Sequence, residues 1–488
     1  MAEEKKTEEK KEQKQEEKKP APFVDEEPVT TKHEITVHGK KLGYTATAGR
    51  IPLRNALDEI EAQVFYVAYT LDGVEDKSQR PVIFAYNGGP GSPALWLHLG
   101  AIGPKRIPMD EECRMPKPPF KLIDNEHTWL DVADLVFIDP VGTGYSRPHT
   151  EELGAKFWGL KGDIESVGEF IRLFLTRFER WNSPLFLAGE SYGTTRSAGL
   201  AGYLIDRGIA FNGIVLVSSI LNFQTARFVK GNDLPYVLFL PTYTATAFYH
   251  GKLPKDLSAD LRSTLRQVEE FALGEYHAAL AKGDRLTAKE RQSIIKKLAR
   301  FTGLSTTYLD NNDLRIHIWS FCKELCRDEK RTVGRLDSRF KGIDAKAAGE
   351  HPEHDPSMTA LMAPYTAMFN HYVRTSLGYK TDLSYEIFGG IKKPWDWGSA
   401  GDGHPDTSEA LRAAMAKNPH MRVYIASGYY DLATPYFATE FTVAHMELDP
   451  EVRGNITTGE YEAGHMMYVH EPSLRKLKED VSNFVQQA

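Results

Sequence analysis

Cysteine is scarce in this sequence: Cys113, Cys322 and Cys326 are the three cysteines in 488 residues. Three are too few for a disulfide framework. Cys322 and Cys326 have the spacing of one helical turn, but a metal site there needs further ligands, and none is evident nearby. We therefore expect plain thiols and no metal site.

Long apolar runs and clusters of basic residues are also missing. No stretch approaches the roughly 20 apolar residues that span a membrane. The formal net charge is −7, and lysine and arginine are scattered, so no basic stripe indicates nucleic-acid binding. With 41% hydrophobic and 26% charged residues, the composition is that of a globular protein of two to three domains, or of one large domain with an insertion.

The N-terminal segment, residues 1–30, lacks what a folded segment needs. It is rich in Lys, Glu and Gln and has no aromatic residue before Phe23, so we expect it to be disordered. It also lacks an apolar h-region, so it is neither a signal peptide nor a transit peptide. The protein is then cytoplasmic as the chain stands, or periplasmic or secreted if a leader is missing.

Strand patterns alternate with helical patterns along most of the chain. The predicted elements are a hairpin over 33–48, strands at 63–71, 81–86, 133–139, 185–188, 213–219, 421–427 and 455–460, and helices at 164–181, 194–207 and 471–487. This alternation predicts an α/β fold with a mostly parallel twisted sheet flanked by helices.

The sheet-forming pattern is interrupted in the middle of the chain. Between 255 and 344 we find no convincing strand, whereas the apolar spacing from Leu261 to Leu280 is helical, and Thr287 with Glu290 is a capping-box signal. We predict a core at 31–235 and 381–488 and a helical insertion at 236–380. Such an insertion would lie over the strand ends as a lid.

The strand at 185–188 runs into Gly189-Glu-Ser-Tyr-Gly193, with Ser191 at the apex. Small residues two positions away on each side suit a sharp strand-to-helix turn that exposes a serine hydroxyl. The alternative is a tight structural turn without chemistry.

A serine nucleophile needs a base, and the base needs an orienting carboxylate. Asp431 follows the strand at 421–427, and His465 follows the strand at 455–460. Taken singly, each has a structural alternative: a turn aspartate and a loop histidine. Together they follow Ser191 in the order acid then histidine, each past a late strand, which is the order of a catalytic triad in this α/β fold class.

An acyl-transfer site also needs hydrogen-bond donors for the oxyanion. One is expected from the amide after the nucleophile, at Tyr192. The other is expected from a glycine-rich loop after an early strand, and Asn87-Gly-Gly-Pro-Gly91 stands in that place.

Five motifs in this order resemble the serine carboxypeptidase family: Asn87-Gly-Gly-Pro-Gly91, Val141-Gly-Thr-Gly-Tyr-Ser146, Gly189-Glu-Ser-Tyr-Gly193, Ser427-Gly-x-x-Asp431 and Ala463-Gly-His-Met466. The resemblance covers nearly everything after the charged tail. It implies an α/β-hydrolase fold with a helical insertion and removal of single residues from peptide C-termini, best at acid pH.

The resemblance also implies a role for each matching residue. Ser191 is the nucleophile, His465 the base and Asp431 its orienting acid. Gly89 and Tyr192 supply the oxyanion amides, and Asn87, Gly88 and Glu190 bind the substrate's C-terminal carboxylate. Two departures are Ser92, where the family usually has a cysteine, and Tyr468, where a proline is common.

Glu190 lies beside the nucleophile, where a negative charge would repel a carboxylate substrate. If burial keeps it protonated, it can instead donate a hydrogen bond to that carboxylate. We therefore expect activity to fall as Glu190 ionises.

The favoured function is a serine carboxypeptidase acting on peptides with a free C-terminus, with no metal or organic cofactor. One alternative is an esterase, acyltransferase or lyase on the same triad scaffold. Another is a non-catalytic binding protein with a hydrolase fold. No nucleic-acid or membrane partner is expected, and the oligomeric state is left open, with a homodimer as one alternative.

Overall fold

The computed structural model describes residues 24–110, 113–401 and 403–488. Its strands are β1 (Val29–Val37), β2 (Lys40–Arg54), β3 (Ile60–Leu71), β4 (Val82–Tyr86), β5 (Lys105–Arg106), β6 (Ile123–Asp124), β7 (Asp134–Ile138), β8 (Arg147–Pro148), β9 (Leu185–Glu190), β10 (Gly213–Val217), β11 (Thr332–Val333), β12 (Lys341–Gly342), β13 (Arg422–Gly428) and β14 (Ile456–Tyr461).

The helices are α1 (Leu95–Leu97), α2 (Glu151–Gly154), α3 (Leu160–Arg177), α4 (Tyr192–Ile205), α5 (Leu234–Tyr249), α6 (Leu261–Phe271), α7 (His277–Lys282), α8 (Ala288–Thr302), α9 (Thr306–Asn311), α10 (Ile318–Glu324), α11 (Pro356–Thr375), α12 (Ser408–Lys417), α13 (Tyr436–Ala444), α14 (Pro450–Arg453) and α15 (Glu471–Gln487).

One large sheet organises the molecule, with the strand order β1-β2-β3-β7-β4-β9-β10-β13-β14. The first strands pair antiparallel, and from β7 to β14 the strands are parallel. The central strands β4, β7, β9 and β10 are buried along their whole length, as parallel strands covered on both faces should be. The predicted mostly parallel sheet is confirmed.

The register of the parallel strands brings their carboxyl ends to one edge. Tyr86 at the end of β4 pairs with Gly189, and Glu190 at the end of β9 pairs with Val217. Gly428 ends β13 beside Tyr461, the last residue of β14. The ends of β4, β9, β13 and β14, which precede or contain the predicted functional residues, therefore lie close together at one edge of the sheet.

Each face of the sheet is covered by its own apolar layer. On one face, α3 and α4 contribute Phe170 and Leu200, which belong to a buried cluster with Leu187 of β9. On the other face, α11 and α15 contribute Tyr365 and Leu477 to a second cluster. These two layers enclose the strands and fix the position of their ends.

Helices α5 to α10 pack around a third apolar cluster, which includes Leu265 and Phe321 and reaches Tyr436 of α13. The capping box at Thr287 is present at the start of α8. The expectation of no strand between 255 and 344 was wrong in detail, because β11 and β12 form a two-residue antiparallel pair. Pairs this short leave no periodic pattern in the sequence.

The two neighbouring cysteines do not share a helix. Cys322 lies in α10, which ends at Glu324, so Cys326 falls in the turn that follows. Both are buried free cysteines, as is Cys113, and burial raises the pKa of the Cys326 thiol to about 11. The three thiols are therefore buried and form no disulfide bond with one another.

Most predicted elements are present with shifted ends. The hairpin predicted over 33–48 lies within the longer β1–β2 pair, and the helix predicted at 164–181 begins four residues earlier, at Leu160. Residues 1–23 of the predicted disordered tail lie outside the described residues, whereas Val29 and Thr30 already belong to β1. The boundaries at 235 and 380 stay predictions. Within the described ranges, no helix is both long and apolar enough to cross a membrane.

A buried ion pair joins the two helices beside β9. Arg196 on α4 pairs with Asp163 on α3, with Nε 2.7 Å from Oδ2, and both side chains are almost fully enclosed. The same Oδ2 accepts a hydrogen bond from the Tyr192 hydroxyl at 3.1 Å. Asp163 therefore satisfies a buried cation and a buried phenol together.

We expect Asp163→Ala to lower the free energy of unfolding by about 3–5 kcal/mol, because it leaves a buried guanidinium without its counter-charge. Glu169→Ala on the same helix removes the exposed Glu169–Arg172 pair and should cost less than about 1 kcal/mol. Urea denaturation of the two variants measures both. Equal losses would show that the Asp163–Arg196 pair has no special role.

Candidate active site

Ser191 occupies a sharp elbow between β9 and α4. Its backbone has φ 59° and ψ −130°, a region that residues with side chains rarely adopt. The turn is so close that a Cβ at Gly189 would lie 2.3 Å from the carbonyl oxygen of Gly193. The strain is localised at the one residue that sequence analysis placed at the apex.

The Asn87–Gly91 loop passes directly against the start of α4. A Cβ at Gly88 would lie 2.4 Å from the amide nitrogen of Tyr192, so only glycine fits there. Gly89 has φ +108°, also a glycine conformation. The first turn of α4 has amide groups without helical partners. The two predicted oxyanion residues, Gly89 and Tyr192, therefore flank the point where loop and helix meet.

Hydrogen bonds from three directions fix this loop. The side-chain oxygen of Asn87 accepts from the Leu97 amide at 3.0 Å, and its carbonyl oxygen accepts from Arg196 Nη1 at 2.8 Å. Further on, the Ala94 amide donates to Asp139 Oδ1 at 2.9 Å. The loop is anchored to the buried interior at both ends.

His465 and Asp431 form a direct pair. His465 Nδ1 lies 2.7 Å from Asp431 Oδ2, and Asp431 is fully buried. Burial lowers the pKa of His465, but the neighbouring carboxylate outweighs it, so the net pKa lies above the usual value. The imidazole is thus held in the orientation that a general base requires.

Thr434 is a residue of this pair that sequence analysis missed. Its hydroxyl donates to Asp431 Oδ2 at 2.6 Å and lies 3.1 Å from His465 Nδ1. The amides of Ala433 and Thr434 donate to the other Asp431 oxygen at 2.7 and 3.0 Å. The spacing Asp-x-x-Thr was a visible signal, since a threonine three residues after an aspartate commonly bonds back to it.

Several of the predicted site residues surround one cavity of about 260 Å³. Ser191 and His465 both line it, although 274 positions separate them in the sequence. Asn87, Gly88 and Glu190 line the same cavity. The structure therefore places the predicted nucleophile, base and carboxylate-binding residues around one space, with Asp431 behind the base.

Glu190 is a buried carboxyl group at the floor of this cavity, with 3% of its surface exposed. Burial raises its pKa to about 7, against the opposing effects of His465 and of hydrogen bonds from Tyr468 and Asn87. The Tyr468 hydroxyl donates to Glu190 Oε2 at 2.7 Å. Tyr468, noted in the sequence only as a departure from a family pattern, is a direct partner of Glu190.

Another part of the cavity wall comes from the start of α10, from the segment that follows α10 and from the start of α11. Trp319, Arg335, Leu336 and Met358 line the cavity there. The His465 amide donates to the Leu336 carbonyl oxygen at 2.6 Å, so this wall is attached to the histidine loop. Sequence analysis named none of these residues, since no motif marks them.

One group of side chains in the described residues has the spacing of metal ligands. Atoms of Glu126, His127 and Glu471 lie within 4.8 Å of one another. Glu471 already pairs with Arg106 at 2.8 Å and with His127 at 3.0 Å. These contacts describe an ion-paired cluster around the buried His127, separate from the cavity lining.

A mixed, mostly parallel sheet with a serine elbow, and with a histidine–aspartate pair at the same edge, defines an α/β-hydrolase. The family model for serine carboxypeptidases matches residues 55–468. The chain belongs to the serine carboxypeptidase family.

Individual relatives match shorter segments. The pheromone-processing carboxypeptidase KEX1 of Saccharomyces cerevisiae is 32% identical over 159 residues, which is 30% of this chain and 20% of that protein. Serine carboxypeptidase-like 1 of Arabidopsis thaliana is 28% identical over 138 residues, 28% of this chain and 30% of that protein. The chain thus spans less than a third of the length of these curated relatives.

The fold comparison extends over most of the chain. The crystal structure of yeast Kex1(Δ)p, a prohormone-processing carboxypeptidase, superposes with a TM-score of 0.55 and covers 90% of this chain and 91% of that one, at 16% sequence identity. At this identity the likeness supports the fold, and the predicted α/β-hydrolase fold is confirmed. The roles of individual site residues stay predictions.

The raised pKa of Glu190 has a consequence for stability that can be measured without a substrate. In the unfolded chain a glutamate ionises near pH 4.5, whereas folded Glu190 keeps its proton until about pH 7. Folding is therefore increasingly penalised as pH rises through this window, and the penalty is absent at lower pH.

We expect the stability of Glu190→Gln relative to the original protein to rise by about 3 kcal/mol between acidic and mildly alkaline pH, because glutamine cannot ionise. Denaturation at the two pH values measures the change, with Glu169→Gln on the exposed face of α3 as the surface control. A difference that does not vary with pH would contradict the raised pKa.

Proposed function

We propose that the protein is a serine carboxypeptidase that removes single residues from peptide C-termini. The observation that carries the proposal is the placement of Glu190 and Asn87 in the cavity that also contains Ser191 and His465. An ester or amide needs no carboxylate-binding group beside the nucleophile. A buried, protonated carboxyl group next to an asparagine suits a substrate that ends in a carboxylate.

The reaction follows from the roles of these groups. The Ser191 hydroxyl oxygen attacks the carbonyl carbon of the last peptide bond while His465 accepts the hydroxyl proton. Amides of the Gly89 loop and of Tyr192 stabilise the oxyanion. The carbon–nitrogen bond breaks, and His465 donates the proton to the leaving amino acid. Water then releases the shortened peptide from Ser191 by the same proton transfers in reverse order.

Substrate recognition uses the protonated form of Glu190. Its carboxyl group donates one hydrogen bond to the substrate's terminal carboxylate, and the incoming negative charge raises its pKa further. Tyr468 holds Glu190 from the other side. The bound carboxylate thereby fixes the distance from the chain end to the bond that is cleaved.

The pKa shifts set the expected pH dependence. Activity requires protonated Glu190, so it falls as pH rises through about 7. Activity also requires neutral His465, whose raised pKa moves the acidic limb upward. Because Glu190 and His465 influence each other's ionisation, the two limbs are linked, and we expect a narrow bell-shaped dependence of activity on pH. The strongly acidic optimum implied by the family resemblance stays a prediction.

We expect the alkaline limb of kcat/KM to fall about tenfold per pH unit above the pKa of Glu190. Glu190→Gln should remove this limb at a reduced maximal rate, since an amide still donates a hydrogen bond but cannot ionise. Tyr468→Phe should move the limb to higher pH, because it removes a hydrogen bond that favours the charged carboxylate. The measurement is a pH profile on an N-blocked dipeptide with a free carboxylate.

Two controls separate the proposal from other hydrolases. Ser191→Ala should lower turnover by around six orders of magnitude if the triad acts as a unit. The original protein should cleave the free dipeptide far better than its C-terminal amide. Equal cleavage of the two would contradict the carboxylate-binding role of Glu190 and favour an esterase or related enzyme, and no labelling of Ser191 by a fluorophosphonate would favour a binding protein.

A further inference from the structure

Arg335 is a cation in the wall of the catalytic cavity that the proposed reaction does not use. It lines the same cavity as Ser191 and is adjacent in sequence to Leu336, whose carbonyl oxygen accepts a hydrogen bond from the His465 amide. Its guanidinium carbon lies 5.6 Å from the centre of the Trp319 ring, so the side chain is laid along that aromatic surface. The side chain is half-buried.

Other enclosed arginines of this protein have an acidic partner. Arg80 and Arg180 share Asp134, Arg196 pairs with Asp163, and Arg339 pairs with Asp337. Among the residues that the structure describes, no carboxylate lies within 4.0 Å of the Arg335 guanidinium. A half-buried cation without a counter-charge is costly unless something else supplies the negative charge.

Asp355 lines the same cavity but does not fill this need. Its two oxygens accept the amides of Arg335 and Leu336, at 3.2 and 3.1 Å, and one also accepts the Ser357 amide at the start of α11. Its charge is therefore used to hold the backbone of the wall. It also helps to place the Arg335 side chain, because it fixes the chain on which that side chain stands.

Apart from Arg335 and Asp355, the described ionisable groups that line the cavity carry no unpaired charge under mildly acidic conditions. Glu190 is protonated below about pH 7, and His465 is paired with Asp431. The positive charge of Arg335 reaches the base, since it opposes the raised pKa of His465. A substrate in the cavity is therefore exposed to the same positive field.

We propose that Arg335 is a specificity-determining residue that selects peptides with an acidic side chain at one of the two residues flanking the scissile bond. The substrate carboxylate pairs with the guanidinium, and its methylene groups contact the apolar part of the wall at Trp319 and Met358. This inference rests on the proposed carboxypeptidase function and narrows its substrate class. It differs from binding of the C-terminal carboxylate, which is assigned to Glu190 and Asn87.

The test uses two matched pairs of N-blocked dipeptides, Phe-Glu with Phe-Gln and Glu-Phe with Gln-Phe, assayed at about pH 6.5, between the two limbs of the expected profile, where a glutamate side chain of ordinary pKa ~4.3 is ionised. Comparing Glu with Gln within each variant cancels any effect of Arg335 on His465. We expect kcat/KM to favour Glu over Gln by about tenfold in at least one pair, as a charge-assisted contact should give. The pair that shows the preference identifies the position.

Arg335→Met keeps the length and the apolar contact with Trp319 but removes the charge, and it should abolish the preference for Glu. Arg335→Glu should reverse it, so that a lysine-containing peptide replaces the glutamate-containing one as the better substrate. Arg331→Met is the matched control, because Arg331 lies four residues away on the same segment and outside the cavity lining. Fluorophosphonate labelling of Ser191 shows that each variant keeps a folded site.

Each contrary result has a distinct meaning. Cleavage of all four peptides without a Glu preference, or a preference that survives in Arg335→Met, overturns the role of Arg335 and leaves the carboxypeptidase function intact. An equal loss on all four peptides in Arg335→Met assigns the guanidinium to the C-terminal carboxylate and also overturns it. No cleavage above the Ser191→Ala background overturns the proposed function and this inference together.

Discussion

The guanidinium of Arg196 ties together the pieces of chain on which the site depends. It stands on the helix that follows the nucleophile, pairs with Asp163 on the neighbouring helix, and donates to the carbonyl oxygen of Asn87. A buried ion pair adds little net stability, because desolvation offsets the attraction. Its effect is positional: it fixes the glycine-rich loop against the elbow, where there is no room for a side chain at Gly88 and where small displacements would separate the proposed oxyanion donors.

Burial and neighbouring charges together determine the ionisation of the two proposed catalytic groups, Glu190 and His465. Glu190 lies in an enclosed place where its neutral form is favoured, whereas His465 lies against a fully buried Asp431 that favours its charged form. The two groups are close enough to affect one another, so their titrations belong to a pair. In the proposed mechanism, the form with neutral His465 and protonated Glu190 has both the base and the hydrogen-bond donor.

The parts of the fold that follow from local patterns could be predicted from the sequence. Continuous apolar runs marked the central strands, and the order of Ser191, Asp431 and His465 located the triad candidates. Tertiary packing determined the rest. Tyr468 bonds to Glu190 and Arg335 lines the cavity, although both come from segments distant in sequence, and no periodicity or spacing encodes such contacts. Helix ends were also missed, because they depend on which turns the packing completes.

The hydrogen bonds between the histidine loop and residues 336–337 have a consequence for engineering. The His465 amide bonds to Leu336, and Asp337 accepts the Gly464 amide at 3.1 Å. A Cβ on Gly464 would lie only 2.5 Å from Asp337. Residues 335–337 therefore help to fix the position of His465. A chimera that replaces the helical segment by that of a relative should therefore retain residues 335–337 of this chain. Otherwise the exchange will displace the His465 imidazole as well as change the cavity wall that faces the substrate.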